Sequence, residues 1–143
     1  MTVTECALLE EAIVLATEAH SGQVDKAGAP YILHPLRVML AQKDDVRRIA
    51  AVLHDVVEDC AVTPDMIRAR FGDAVADAVV ALTRRDDEDY DAFVVRCAEN
   101  AIARDVKRAD IADNLDLSRI AVVTDRDLDR VAKYRRALAR LDA

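Results

Sequence analysis

Apolar residues recur along much of this chain at intervals of three and four, the spacing that gathers side chains on one face of a helix. Over residues 5–20 the stripe is Leu8, Leu9, Ala12, Ile13, Ala16 and Ala19, with Thr4 ahead as an N-cap. His20 ends it, as a cap or a packing histidine more readily than as a ligand. Pro35 suits the first turn of a helix reaching about Gln42, with Leu36, Val38, Met39 and Leu40 inward. Asp44 or Asp45 then caps a central helix over residues 46–59. Thr63-Pro64 opens another that stops at Phe71-Gly72, and Asp73 starts one through Leu82, burying Val75, Ala78, Val79 and Leu82. Three more are expected over about 89–101, 105–117 and 125–141. Their inward residues include Phe93, Val94 and Cys97, then Val106, Ala109, Ile111, Ala112, Leu115 and Leu117. The expected fold is all-α, one compact bundle over residues 1–143.

Composition agrees. Ala, Val, Leu and Arg dominate, aromatics are 3%, and three Gly and three Pro leave few breaks. With 143 residues and 52% hydrophobic content, one domain with a real core is expected and a second folded unit is not. A net charge of −7 argues against a nucleic-acid surface. No apolar run approaches membrane-spanning length, and the N-terminus lacks the basic region of a signal peptide. Cys6, Cys60 and Cys97 are widely spaced and unpaired by motif, which suggests reduced thiols in a cytoplasmic protein acting alone or as a homo-oligomer.

Charge changes the picture in one place. The apolar first half of the central helix is followed by His54, Asp55, Glu58 and Asp59, which a period of 3.6 gathers on one side. Three carboxylates beside an imidazole repel and lose hydration on burial, so they need a cation or a hydrogen-bond network. A metal ion is the simplest candidate; a frayed, solvated helix end is the plain alternative. Within 105–117, Asp110 and Asn114 lie four apart on one face of an otherwise apolar helix and also need partners. Asp110 can meet the central cluster, and His34, just ahead of its helix, would complete a set of two histidines and two carboxylates. The loop 21–34 holds Gly22, Gly28 and Pro30, and its Lys26 and Tyr31 suit phosphate and base or sugar contacts. The charged connection 83–89 reads first as a solvated loop, with Arg84 and Arg85 adding positive charge for an anionic ligand only if it folds over the site.

These pieces in this order resemble a family. His34, the pair His54-Asp55 and Asp110 are similar to the H…HD…D set of HD-domain phosphohydrolases. More narrowly, Ala19-His20-Ser21-Gly22-Gln23, the stretch Lys26 to Pro35, Leu53 to Asp59 and Lys107-Arg108-Ala109-Asp110 resemble the hydrolase domain of RelA/SpoT proteins and stand-alone small alarmone hydrolases. The resemblance implies a manganese-dependent enzyme that removes the 3′-pyrophosphate from guanosine tetra- and pentaphosphate. It implies that His34, His54, Asp55 and Asp110 bind the metal, that Glu58 and Asp59 handle the attacking water, and that Lys26, Tyr31 and Asn114 contact substrate. Mixed nitrogen and oxygen ligands with open positions suit manganese or a similar divalent ion.

The chain departs from the family pattern in substrate recognition. Asp25 stands where the family usually has Arg, Ala27 where it has a polar residue, and Asp116 where it has a second Arg. Losing two cations removes charge and bidentate contacts. An adenine analogue of the alarmone, another phosphoester, or a nucleotide-binding module that keeps its metal for stability are the competing expectations.

Overall fold

The structure, a computed structural model, describes the backbone of residues 3–143 and the side chains of residues 6–58 and 60–143. Among these residues it is all-helical, as expected, with one isolated bridge between Val24 and Pro30. The nine described helices are α1 (Val3–Ala19), α2 (Leu33–Leu40), α3 (Asp45–Val52), α4 (Val56–Asp59), α5 (Pro64–Phe71), α6 (Asp73–Ala81), α7 (Tyr90–Ala98), α8 (Ala101–Asn114) and α9 (Asp125–Asp142).

Helix starts follow side-chain chemistry. Asp44, Thr63, Asp89, Asn100 and Thr124 each accept a hydrogen bond from a backbone amide of the first turn, supplying partners that a helix start otherwise lacks. Asn100 was not anticipated, and with it α8 starts at Ala101 rather than near 105. The side chain of Thr4 lies outside the described residues.

The central element differs from the expected continuous helix. α3 ends at Val52, residues 53–55 form turns, and α4 is a single turn. His54 explains part of the break. Its Nδ1 lies 2.6 Å from the Ala51 carbonyl, a local contact that competes with helical propagation.

α3 is the centre of the bundle, packed on α1, α2, α6 and α8. Five consecutive residues, Ile49 to Leu53, are at most 3% exposed, so this segment is enclosed on every side. Val38, Met39, Ile67, Phe71, Val75, Val79 and Val106 complete that core. A smaller cluster of Val94, Ile111, Ala137 and Leu141 docks α9 against α7 and α8. Two expected core positions are instead on the surface: Leu40 is 75% exposed at the end of α2, and Ala112 faces outward on α8. Each is the residue its helix turns toward solvent once neighbouring residues have chosen the packed face.

Candidate metal centre and nucleotide pocket

Three segments converge beside the end of α3. His34 comes from the first turn of α2, His54 from the break between α3 and α4, and Asp110 from α8. One potential ligand atom from each lies within 4.8 Å of the other two, and all three residues are buried. The meeting follows from the fold, since α2, α3 and α8 pack on one another.

The electrostatics show why the cluster holds together. Burial opposes ionisation of Asp110, but the Lys107 ammonium, followed by His34 and His54, holds its carboxyl well below the ordinary range. Lys107 Nζ donates to Asp110 Oδ2 at 2.9 Å and lies 4.8 Å from the centroid of the Phe93 ring. His34 Nε2 is 2.8 Å from Asp110 Oδ1. Burial disfavours charge on His34 and His54 as well. For His34 the Asp110 carboxylate outweighs burial and raises the pKa. For His54 the Asp55 and Asp110 carboxylates do the same, raising it well above the usual value.

His54 provides the test of whether a cation fits. Its Nδ1 faces the Ala51 carbonyl and can only donate there, which leaves Nε2 as the nitrogen that can offer a lone pair. That Nε2 is buried without a hydrogen bond. Asp55 Oδ2 at 3.0 Å and Asp110 Oδ1 at 3.5 Å are close enough for charge attraction but not aligned for a bond. An orphaned imidazole nitrogen facing buried carboxylates suits a divalent cation, and this nitrogen–oxygen donor set is one that such ions accept. His34, His54 and Asp110 thus form a possible metal site.

The other anticipated residues distribute around it. Asp55 adjoins the three-residue cluster; burial raises its pKa, but His54 and the Tyr31 hydroxyl, which donates to Oδ2, bring it below the ordinary value. Asn114 donates to Asp110 Oδ1 at 3.2 Å. Tyr31, Lys26 and Asn114 line a cavity of about 600 Å³ that also reaches His34, Asp55 and Asp110, a volume in the usual range for small-molecule sites. Glu58 is placed elsewhere: its Oε1 accepts from the Arg84 amide at 2.6 Å, and it lines a separate recess with Arg84 and Arg85. The side chain of Asp59 lies outside the described residues.

Local bonding gives the departing residues other work. Asp25 Oδ1 accepts from the amides of Ala27 and Ala29, both at 2.9 Å, and shapes the turn in which Gly28 adopts φ +82°. Asp116 accepts from the Ser118 amide and hydroxyl and pairs with Arg119 at 3.0 Å. Sequence reasoning missed Arg37, Lys107, Asp113, Arg119, Arg130 and Tyr134, all lining the cavity. Asp113, one turn beyond Asp110 on α8, carried the one usable signal, a second carboxylate on the inward side of that helix. Arg130 and Tyr134 had none, because an Arg-rich amphipathic helix reads as solvated surface.

Comparison with known proteins agrees with this geometry. A guanosine-3′,5′-bis(diphosphate) 3′-pyrophosphohydrolase of Vibrio cholerae is 38% identical over 90 residues, covering 60% of this chain and 13% of that protein. A protein of the same name from Aquifex aeolicus is 34% identical over 119 residues, covering 75% of this chain and 17% of its own length. This chain therefore matches only a small part of those curated relatives. A solved structure described as a metazoan ortholog of SpoT that hydrolyzes ppGpp has the same fold, with a TM-score of 0.79 at 24% identity over 94% of this chain and 85% of that one. Residues 12–126 match the family model described as HD domain, and on that match the chain belongs to the HD domain family.

Proposed function

We propose that this chain is a metal-dependent phosphohydrolase that removes the 3′-pyrophosphate of guanosine 3′,5′-bis(diphosphate) or its pentaphosphate, releasing pyrophosphate. The observation that carries this is the convergence of His34, His54 and Asp110, with an unbonded His54 Nε2, at a cavity also lined by Lys26, Tyr31 and Asn114. The pyrophosphohydrolase names of the relatives support the substrate class.

In this proposal His34, His54, Asp55 and Asp110 hold a divalent ion, manganese in preference. When bound, such an ion acts as a Lewis acid on a phosphoryl oxygen and lowers the pKa of water. Tyr31, hydrogen-bonded to Asp55, keeps that carboxylate oriented. Lys26 meets phosphate charge from the cavity rim and Asn114 orients the ligand beside Asp110. Glu58 and Asp59 act on the attacking water, and for this the Glu58 carboxylate must exchange its contact with the Arg84 amide for one with water. Attack at phosphorus breaks the bond to the ribose 3′-oxygen, which takes up a proton as pyrophosphate leaves. Affinity for an anionic ligand has local support in a protein of net charge −7. Lys26, Arg37, Lys107, Arg119 and Arg130 line the cavity. The setting proposed is the cytoplasm; among the described residues no helix is long and apolar enough to cross a membrane.

A second substrate class is favoured by one observation: carboxylates stand at Asp25 and Asp116, at and near the rim of the cavity. The family usually has arginines at these positions, and without their charge and bidentate contacts to base or phosphate (p)ppApp is the leading alternative. The test is a product-resolved screen of (p)ppGpp, (p)ppApp and other nucleotides with Mn2+, comparing wild type with Asp55→Ala and Glu58→Gln. Pyrophosphate release that both variants abolish is the expected result. Tight nucleotide binding without any product would identify a binding module and overturn the hydrolase.

A further inference from the structure

His34 presents its two ring nitrogens to two different carboxylates. Nε2 faces Asp110 Oδ1 at 2.8 Å, on the cluster side, while Nδ1 faces Asp113 Oδ2 at 2.7 Å, on the opposite side. An ionised carboxylate can only accept, so the ring nitrogen facing it carries the proton. Asp113 stands as the carboxylate partner of the Arg37 guanidinium, which donates to both of its oxygens at 2.7 and 3.0 Å. Nδ1 is therefore a fixed donor, and Nε2 is the nitrogen whose lone pair becomes available when a cation displaces its proton.

Asp113 is itself clamped. Arg37, one turn after His34 on α2, donates from Nε to Oδ1 at 2.7 Å and from Nη2 to Oδ2 at 3.0 Å, a two-pronged pairing that fixes the plane of the carboxylate. Arg119 adds a bond to the Asp113 carbonyl at 3.0 Å and a charge contact to Oδ1 at 3.4 Å. The Asp113 side chain is 11% exposed, so it is largely withdrawn from competing water. Asp110 and Asp113, one turn apart on α8, thus hold the His34 ring from both ends.

We infer that Asp113 is a positioning residue for a divalent cation: clamped by Arg37, it fixes the ring orientation and tautomer of His34 so that Nε2 faces the ion. This rests on the proposal that His34, His54 and Asp110 hold a metal. A carboxylate behind a ligating imidazole also makes the ring a stronger base and donor, and loss of such partners typically weakens metal binding by roughly 10–100-fold. If Asp113 only tied α2 to α8, its removal would lower stability and leave metal affinity unchanged.

The test is a Mn2+ titration of the full chain without nucleotide, following the electron paramagnetic resonance signal of the free ion. Wild type is compared with Asp113→Ala, Asp113→Asn and Asp110→Ala, and each is melted in EDTA. Asp113→Ala is expected to weaken Mn2+ binding by roughly 10–100-fold. Asp113→Asn should lose less, because its carbonyl can still accept from Nδ1 while its amide cannot serve Arg37. Should Asp113→Ala fail to fold, the near-isosteric Asn variant carries the test: weaker Mn2+ binding with wild-type melting in EDTA supports the inference. Asp113 variants that bind Mn2+ as wild type does, while Asp110→Ala does not, overturn the positioning role and leave the metal site standing. Wild-type Mn2+ binding by Asp110→Ala overturns both.

Discussion

Replacing Lys107 by Met probes the charge balance of the site without a metal present. The Lys107 and Asp110 side chains are 11% and 9% exposed and 2.9 Å apart. Coulomb attraction at that distance is about 6 kcal/mol with an effective dielectric constant near 20. Part of this is offset by the desolvation of both groups, and removing one partner of a buried pair costs about 3–5 kcal/mol. Asp110 would keep His34 at 2.8 Å and Asn114 at 3.2 Å, which places the expected loss at the lower end, about 3 kcal/mol. Met keeps most of the stem volume beside Phe93, so packing changes little. For a chain of this size the loss corresponds to a fall in Tm of roughly 6–12 °C. The assay is urea and thermal unfolding in EDTA, so that no added cation replaces the missing ammonium. The double variant Lys107→Met/Asp110→Asn should recover most of that loss and lie within about 1 kcal/mol of wild type, since the uncompensated charge is gone. A loss below about 1 kcal/mol for Lys107→Met would refute the reasoning, because the pair would then behave like one in open solvent.

Two further outcomes follow from the same geometry. In EDTA the melting temperature should peak in mildly acidic solution. Asp55, Asp110 and Asp113 have pKa values below the ordinary 3.8, so their contribution is present above that value and lost as pH falls through the folded-state values. His34 and His54 have values raised above 6.5, so theirs is full below pH 6.5 and lost as pH rises through the folded-state values. Stability that climbs steadily above pH 6.5 in a metal-free scan would contradict the protonated histidines. At α9, Thr124 and Asp127 form a reciprocal capping box, with the Thr124 amide 2.8 Å from Asp127 Oδ2. Thr124→Ala should cost about 1 kcal/mol in urea unfolding and Thr124→Ser much less; equal losses for the two would show that the hydroxyl is not the stabilising group.

What could be read without coordinates was local. Thr63 and Pro64 announced α5, Asp44 announced α3, and the stripes around Ala12, Val79 and Val94 named their buried faces, because caps and periodicity act within a turn or two of chain. Even the chemistry was partly visible: histidines and carboxylates set into apolar helices are costly unless they meet, and His34, His54 and Asp110 do meet. The same local view failed where neighbours are distant in sequence. Nothing near residue 58 indicates that Glu58 would turn to the Arg84 amide, 26 residues on. Periodicity runs straight through His54, whose contact with the Ala51 carbonyl competes with the helix there.

The amino-acid order by itself determined that this chain is helical, where helices with a strong cap such as α3 and α5 begin, and which polar groups would need burial partners, since those depend on backbone propensity and side-chain spacing. Which partners they obtain was settled only by packing. α2 and α8 bring His34 to Asp110 and Asp113, 76 and 79 residues away; α9 supplies Arg130 and Tyr134 to the cavity wall. A helix face has several acceptable neighbours, and only the three-dimensional fit of all nine described helices selects which acids and bases share a buried site.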